Sequence, residues 1–227
     1  MIGIIGAMAL EVENLVAELS EKESETVLGI TFHRGKLCDK DVVLAVCGIG
    51  KCFAAICAQT MILKYQPEFI INIGVAGALS ATLGVGDMAI ATSAVEHDMD
   101  TSPLGDPVGL VSGINLVNLP CDAALSKKIA DCCQALGYHT EMGVVASGDQ
   151  FIVDPSKKAW IASTFSAIAC EMEGAAIVQT CYAAGVACGV IRSISDSLSG
   201  DGMDYEAFKH LAASHSGAVV KALLASF

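Results

Sequence analysis

The stretch that organises this chain is Cys170-Glu171-Met172-Glu173-Gly174-Ala175-Ala176, followed about twenty residues later by Ile191-Arg192-Ser193-Ile194-Ser195-Asp196. Two carboxylates enter an apolar segment in the first stretch, and Asp196 closes a β-branched run in the second. Burying a carboxylate costs free energy, so a protein retains one where it is paired with another group or serves a function. Residues 175–184 are rich in alanine and precede Gly185, which predicts a helix that leads into a strand. Open α/β folds bind ligands at the carboxyl ends of such strands, so the two stretches predict a site.

A simpler interpretation of the same residues is structural. Glu173 could favour a helix N-terminus electrostatically, and Asp196 could cap the loop that follows its strand. Taken alone, these residues leave both interpretations open, and the rest of the chain has to decide between them.

Length and composition predict one domain over residues 1–227. No Pro/Gly/Ser-rich linker or change of composition divides the chain. Hydrophobic residues make up 53% and charged residues only 17%. Such a chain can bury a large core and still leaves an apolar surface, which favours a homo-oligomer.

Charge and cysteine usage exclude several classes of protein. A net charge of −12 with 13 Lys and Arg argues against a nucleic-acid partner. No apolar stretch reaches the ~18 residues of a membrane span, and no basic segment precedes the first strand, so neither a membrane partner nor a signal peptide is expected. None of the ten cysteines forms a Cys-x-x-Cys pair. We therefore expect no metal and no disulfide framework, and a reducing cytoplasm.

Strand and helix patterns alternate along the chain, which predicts an α/β sheet sandwich. The patterns predict strands over 2–8, 27–32, 42–46, 69–77, 88–95, 141–146 and 186–195. They predict helices over 9–19, 51–65, 121–136, 157–164, 175–184 and 205–227. Residues 99–120 lack periodicity and carry three of the five prolines, so we expect a long ordered loop or contact arm.

Two local motifs have more than one interpretation. Gly48-Ile49-Gly50-Lys51 follows a strand and opens a helix, but it lacks the third glycine of a dinucleotide loop and the upstream glycine and Ser/Thr of a P-loop. It indicates a close backbone approach to something small. Phe151 directly follows Ser147-Gly148-Asp149-Gln150 at a strand end, where it could stack on a flat ligand or serve as a core residue.

Six separated motifs together resemble one family. They are Gly3-Ile4-Ile5-Gly6-Ala7-Met8 with Glu11, Gly48-Ile49-Gly50-Lys51, residues 72–77, Ser147-Gly148-Asp149 with Phe151, Glu171-Met172-Glu173, and Ser193-Ile194-Ser195-Asp196. In this order, from residue 1 to about 225, the chain resembles the 5′-methylthioadenosine/S-adenosylhomocysteine nucleosidases of the purine nucleoside phosphorylase-like fold. The resemblance implies a single-domain three-layer α/β/α sandwich with a central mixed, twisted sheet. It also implies hydrolysis of the N-glycosidic bond of adenine thionucleosides, releasing adenine and the thioribose, by a cytoplasmic homodimer without metal or cofactor.

The resemblance also implies roles for individual residues. Asp196 would protonate adenine N7, with Ser195 to orient it, and Glu11 would activate water with help from Glu173 and Arg192. The sugar and base contacts implied by the resemblance are Glu173 and Met172 on the ribose, Phe151 stacked on the base, the Ile152 backbone on the adenine edge, and Met8, Ile49 and Tyr205 around the ribose and 5′-alkylthio group.

The chemistry of glycosidic cleavage suits these residue types. Breaking the bond builds positive charge on the ribose and negative charge on the purine, so carboxylates near the sugar and a proton donor near the base favour the transition state. An aspartate that acts as an acid near neutral pH must keep its proton well above the usual pKa of about 3.9. Burial at the end of an apolar strand favours that.

Three questions of function remain open at this point. The absence of arginine from residues 7–11 and 69–77 favours a hydrolase over a purine nucleoside phosphorylase, which needs cations for phosphate. A non-catalytic nucleoside-binding protein is the alternative from another class. Val75 stands where some family members have Ser, and Leu104 where an aromatic residue from the partner subunit can cover the 5′ group. The resemblance therefore leaves 5′-deoxyadenosine and aminodeoxyfutalosine-like nucleosides as further candidate substrates.

Overall fold

Strands and helices alternate along the part of the chain that the computed structural model describes, residues 1–196 and 203–227. The strands are β1 (Ile2–Gly6), β2 (Ser20–Val27), β3 (Ile30–Leu37), β4 (Lys40–Val46), β5 (Phe69–Ala78), β6 (Met88–Glu96), β7 (Leu119–Pro120), β8 (Thr140–Ser147), β9 (Ala167–Glu171) and β10 (Ala187–Asp196). The helices are α1 (Ala9–Ala17), α2 (Lys51–Tyr65), α3 (Ala123–Ala135), α4 (Pro155–Phe165), α5 (Gly174–Ala184) and α6 (Met203–Ala225).

All the strands join one mixed sheet. Its order is β10-β6-β8-β9-β5-β1-β4-β3-β2, with β7 paired to β6. In addition β10 pairs in parallel with β5, so β5, β9, β8, β6 and β10 close into a ring. The expected mixed sheet is confirmed. Its closure was not predicted, because the β5–β10 pairing joins strands more than a hundred residues apart.

Helices cover the sheet on both sides, as the predicted α/β/α sandwich requires. Alternate residues of β1 point to opposite faces, so that Ile5 joins a cluster with α2 and α5 whereas Ile4 joins a cluster with α1, α3 and α6. Every residue of β1 is buried. Strands buried on both faces read as continuous apolar runs, which explains why residues 2–6 predict a strand so clearly.

The predicted single strand over 27–32 is wrong. The chain turns at Leu28 and Gly29, both with positive φ, and the preceding strand β2 extends from Ser20 to Val27. Residues 20–26 are all exposed and mostly polar. This edge strand therefore has no apolar alternation in its sequence. Helix α1 ends at Ala17, two residues earlier than predicted.

The loop predicted over residues 99–120 is confirmed. It contains a 3₁₀ turn at Ser102–Leu104 and a bridge between Val111 and Leu116, and it ends in the two-residue strand β7. Leu104, in the 3₁₀ turn, is 84% exposed.

Strand ends from distant parts of the sequence meet at one edge of the ring. In the register of the sheet, Asp196 of β10 lies opposite Gly77 of β5, and Glu171 of β9 lies opposite Ser147 of β8. A bulge between Ile194 and Asp196 shifts the β5–β10 register by one residue. Bulges of this kind re-aim side chains at the ends of strands, and here the bulge precedes the candidate acid.

Candidate active site

A cavity of about 500 Å³ lies at the ends of β1, β5, β9 and β10. The three predicted catalytic carboxylates, Glu11, Glu173 and Asp196, all line it. So do eight of the predicted binding residues: Met8, Ile49, Val75, Phe151, Ile152, Met172, Ser195 and Tyr205. The remaining two, Arg192 and Leu104, do not line it within the described part of the chain. The sequence therefore identified most of the wall of this cavity.

Backbone amides hold the Glu11 carboxylate from two sides. Its Oε2 accepts hydrogen bonds from the amides of Ala7 and Met8 at 2.7 and 2.9 Å, and its Oε1 accepts one from Val75 at 3.1 Å. Burial raises the pKa of Glu11 above its usual value, although these hydrogen bonds and the charge of Arg192 oppose the shift. A buried, oriented carboxyl with a raised pKa is suited to take a proton from water.

Arg192 lies behind the cavity, where it is 1% exposed. Its Nε and Nη2 donate to Glu171, Nη2 also to Asn72 Oδ1, and Nη1 to the carbonyls of Asn72 and Ile191. These bonds occupy all five guanidinium N–H groups. Arg192 thus reaches the cavity only through its charge, which acts on Glu11 and Glu173.

Glu171 is a structural carboxylate. Besides Arg192 it accepts hydrogen bonds from the Ser147 hydroxyl and from the amides of Glu173 and Gly174. Burial acts against ionisation, but the charge of Arg192 and these hydrogen bonds hold the pKa of Glu171 below its usual value. Glu171 therefore stays ionised and fixes the start of α5, and with it the position of Glu173.

The surroundings of Glu173 shift its pKa upward, in the opposite direction to the pKa of Glu171. Burial and the charge of Glu171 raise the pKa of Glu173 to about 8, although its Oε1 accepts a hydrogen bond from the Gly50 amide at 2.7 Å. At neutral pH Glu173 is therefore mostly protonated. Such a group can both donate and accept hydrogen bonds, which suits it to a sugar hydroxyl.

An ion-pair cluster formed by Lys51, Glu96, Asp98 and Asp149 holds Gly50 in place. The Lys51 ammonium lies 3.0 Å from Glu96 and 2.6 Å from Asp98, and the Lys51 amide donates to Asp149 at 2.8 Å. The lysine of the Gly48-Ile49-Gly50-Lys51 motif is thus neutralised by carboxylates. The glycine motif brings the Gly50 amide to the Glu173 carboxylate, a contact that the sequence did not predict.

Asp196 is buried and packs closely on β5, and the described part of the chain gives it two polar partners. Its Oδ1 accepts from the Ser195 hydroxyl at 3.1 Å, and its Oδ2 lies 3.1 Å from the Lys158 ammonium. Lys158 and Asp196 have side chains only 1% and 5% exposed. The sequence indicated only that Asp196 would be buried, and it did not predict the contact with Lys158.

Aromatic and thioether groups form one side of the cavity. Phe151 is 54% exposed, and its ring meets that of Tyr205 edge-on with 5.3 Å between centroids. The Tyr205 hydroxyl lies 3.3 Å from the sulfur of Met8. Phe151 is thus an exposed platform over the cavity and not a core residue, which favours the stacking interpretation of the motif.

Sequence reasoning missed three features that shape the site. Lys158 shares the buried face of α4 with Ile161 and Phe165, at i, i+3 and i+7, and this spacing could have identified it. At Gly74 and Gly77 a Cβ atom would lie 2.7 Å from Glu11 and 2.8 Å from Asp196, respectively. No local pattern signals these close approaches, since they arise between strands.

Charge is distributed unequally around the cavity. Its described lining contains five acidic residues and no Lys, Arg or His; the five are Glu11, Glu171, Glu173, Asp196 and Glu206. Among the described residues no group of three or more His, Cys, Asp or Glu side chains could hold a metal ion. A search of the same residues also finds no helix long and apolar enough to span a membrane.

Known proteins of similar sequence and structure point to one family. The model of the phosphorylase superfamily matches residues 1–225. A 5′-methylthioadenosine/S-adenosylhomocysteine nucleosidase of Shewanella halifaxensis is 39% identical over 226 residues, which cover 98% of each chain. The crystal structure of the same nucleosidase from Neisseria meningitidis, in complex with methylthio-immucillin-A, superimposes with a TM-score of 0.95 at 31% identity, covering 100% of this chain and 99% of that one.

A second solved structure widens the comparison. The futalosine hydrolase of Helicobacter pylori superimposes with a TM-score of 0.94 at 31% identity and covers 100% of this chain and 97% of its own. Both structures share the fold over the whole length of the chain. The match to the superfamily model and the near full-length identity to curated relatives place this chain in the 5′-methylthioadenosine/S-adenosylhomocysteine nucleosidase family of the phosphorylase superfamily.

Proposed function

We propose that this nucleosidase hydrolyses the N-glycosidic bond of 5′-methylthioadenosine and S-adenosylhomocysteine, releasing adenine and the thioribose. One observation carries the assignment of its catalytic residues. Three carboxyl groups from distant parts of the chain, Glu11, Glu173 and Asp196, line one cavity next to an exposed aromatic platform.

Each carboxyl group has a separate role in the proposed reaction. Asp196 donates a proton to adenine N7 as the bond between the ribose and the purine breaks. Glu11 takes a proton from the attacking water, and Glu173 together with Met172 holds the ribose. Cationic charge on the sugar and electron density on the purine both grow in the transition state, so these groups stabilise it more than the ground state.

The base and the 5′ group have their own contacts in this proposal. Phe151 stacks on adenine, and the backbone at Ile152 reads its edge. Met8, Ile49, Val75 and Tyr205 surround the ribose and the 5′ substituent. A futalosine hydrolase shares this fold closely, so aminodeoxyfutalosine-like nucleosides and 5′-deoxyadenosine belong in any test of substrates.

The acidic lining of the cavity speaks against phosphorolysis. A phosphate nucleophile needs cationic partners, whereas the described lining offers none and Arg192 has every N–H group engaged by protein. The Lys51 ammonium is likewise neutralised by Glu96 and Asp98. Water, which is neutral, is the nucleophile that this cavity suits.

A panel of nucleosides tests the proposal directly. The purified chain is incubated with adenine and hypoxanthine nucleosides bearing different 5′ groups, with and without phosphate, and the sugar product is identified. We expect adenine and free thioribose at equal rates in both buffers. Release only with phosphate, as ribose 1-phosphate, would identify a phosphorylase, and binding without adenine release would identify a nucleoside-binding protein.

We further propose that the chain works as a homodimer in the cytoplasm. Phe53, Ile56 and Leu63 form an exposed apolar stripe on α2, close in sequence to the cavity residue Ile49. Leu104 of the partner subunit would then cover the 5′ group. The ten cysteines, mostly buried and without a Cys-x-x-Cys pair, are consistent with a reducing compartment.

A further inference from the structure

The buried contact between Lys158 and Asp196 brings a cation to the group proposed as the acid. Lys158 comes from α4, which follows the loop that carries Phe151 and Ile152, whereas Asp196 ends β10. Their charged atoms lie 3.1 Å apart, and both side chains are almost completely buried. A buried ion pair is expensive to desolvate. Its position at the end of β10, at the proposed acid, therefore indicates a role in function.

Within residues 1–196 and 205–227, the titratable neighbours of the pair on β9 and α6 are neutral or compensated at neutral pH. Burial raises the pKa of the Cys170 thiol on β9 to about 12 and raises that of the Tyr205 hydroxyl on α6 above its usual value. The carboxylate of Glu171 is neutralised by Arg192. On β5 the neighbour is Gly77, which does not titrate. Lys158 and Asp196 carry opposite charges, and the Lys158 ammonium holds a transferable proton 3.1 Å from the Asp196 carboxylate.

We propose that Lys158 is a positioning residue that stores the proton which Asp196 delivers to the leaving purine. This inference rests on the proposed nucleosidase function. A carboxylate in contact with an ammonium is stabilised in its ionised form. A general acid nevertheless needs a proton, and the ammonium holds one at hydrogen-bond distance in a site closed to solvent. Moving that proton from Nζ to Oδ2 creates two neutral groups and leaves the net charge of the pair unchanged.

The proton transfers balance with the cleavage of the substrate. The electron pair of the ribose–purine bond moves into the base, and N7 gains a proton from Asp196. That proton has first passed from the Lys158 ammonium to Asp196, so Lys158 becomes a neutral amine and Asp196 ends the step as a carboxylate. The water oxygen bonds to the anomeric carbon, and its proton passes to Glu11. After the products leave, Glu11 releases a proton to solvent and Lys158 takes one up.

Two substitutions separate proton storage from simple charge pairing. Lys158→Arg keeps a cation and hydrogen-bond donors beside Asp196, but a guanidinium does not give up a proton in proteins. Lys158→Met removes the charge with little change in volume. Lys157→Met is the matched control, since Lys157 precedes Lys158 on the same helix but lies over the Trp160 ring, 4.0 Å from its centroid.

The readout is the rate of adenine release from 5′-methylthioadenosine as a function of pH, with circular dichroism and calorimetric binding of adenine as checks of the fold. We expect Lys157→Met to match the wild type. Both Lys158 variants should bind adenine within a few-fold of wild type and lose about a hundredfold or more in kcat, the scale of general acid catalysis. The alkaline limb of the Lys158→Met profile should move to lower pH, because Asp196 must then hold the proton alone.

Two results would overturn the proposal. Wild-type kcat in Lys158→Arg would show that only the charge matters, and an alkaline limb of Lys158→Met at higher pH would show that the ammonium merely keeps Asp196 ionised. Should the variants not fold, isotope-edited infrared difference spectra of the wild type against Asp196→Asn decide: a protonated Asp196 in the free enzyme at pH 7 excludes storage on Lys158. If the wild type releases no adenine at all, the nucleosidase proposal fails first, independently of Lys158.

Discussion

At the scale of single residues, the three carboxyl groups of the cavity differ in what surrounds them. Asp196 contacts a hydroxyl and an ammonium. Glu11 accepts hydrogen bonds from three backbone amides, whereas Glu173 accepts one from a backbone amide and lies beside the ionised Glu171. Groups of one chemical type in different surroundings can take different roles in one reaction. The proposal of acid, base and sugar ligand depends on these differences.

Asp196→Asn should reduce adenine release by about 10²–10⁴-fold, because an amide has no proton to give to N7. The amide is nearly the same size, so binding of adenine, measured by calorimetry, should stay within a few-fold. Asp39→Asn, in an exposed turn, is the control. Adenine release at the wild-type rate by Asp196→Asn would remove this residue from the mechanism.

Glu11→Gln should likewise stop attack by water, with a similar loss in kcat and little change in the binding of the nucleoside. Kinetics of adenine release measure the loss. Glu13→Gln is a matched control because Glu13 lies on the same helix and faces solvent. A substantially active Glu11→Gln variant would place the base elsewhere in the cavity.

Glu173 should make the folded state less stable as the pH rises. Its pKa is raised from 4.5 to about 8 on folding, so between these values the folded chain binds more protons than the unfolded chain. The free energy of unfolding therefore falls with rising pH in this window. Glu173→Gln removes this contribution. Between about pH 5 and about pH 8.5, the free energy of unfolding in urea should therefore decrease less in the variant than in the wild type, by up to a few kcal/mol. An equal decrease in the free energy of unfolding of the two proteins would mean that folding does not raise the pKa of Glu173.

At the scale of secondary-structure elements, the close approach of β5 to β10 positions the acid. A Cβ atom at Gly77 would lie 2.8 Å from Asp196 Oδ2, so Gly77→Ala should displace the carboxylate. We expect a loss of at least tenfold in kcat with the fold retained, measured by adenine release and circular dichroism. Gly217→Ala is the control, because there the nearest atom lies at 3.8 Å, an ordinary contact. Full activity in Gly77→Ala would show that the acid does not depend on this packing.

At the scale of the whole molecule, the apolar stripe of Phe53, Ile56 and Leu63 predicts a dimer. Light scattering at micromolar concentration should give twice the mass of the chain. Ile56→Glu should shift the mass toward the monomer, because a charge buried in an apolar interface is costly. Leu136→Glu, at a partly exposed position after α3, should leave it unchanged. A monomeric wild type would contradict the dimer.

Much of the fold and of the site could be predicted from the sequence, since the signals were local. The apolar run of β5 and the Ala-rich segment before Gly185 predict their strand and helix without reference to the rest of the chain. Glu171, Glu173 and Asp196 were identified because charged residues stand out in apolar surroundings, whereas the role of Glu11 came from the family resemblance. The exposed strand β2 was missed because its polar residues carry no such contrast.

From the amino-acid sequence alone came most of the strands and helices other than β2, β7 and β9, the acidic character of the site and the family that the motifs resemble. The closed ring of five strands, the engagement of Arg192 by Glu171 and Asn72, and the contact of Lys158 with Asp196 became visible in the three-dimensional arrangement of the chain. These features join segments that lie far apart along the chain. Hydrophobic periodicity acts over a few residues, whereas a buried ion pair or a shared strand edge depends on where remote segments meet in space.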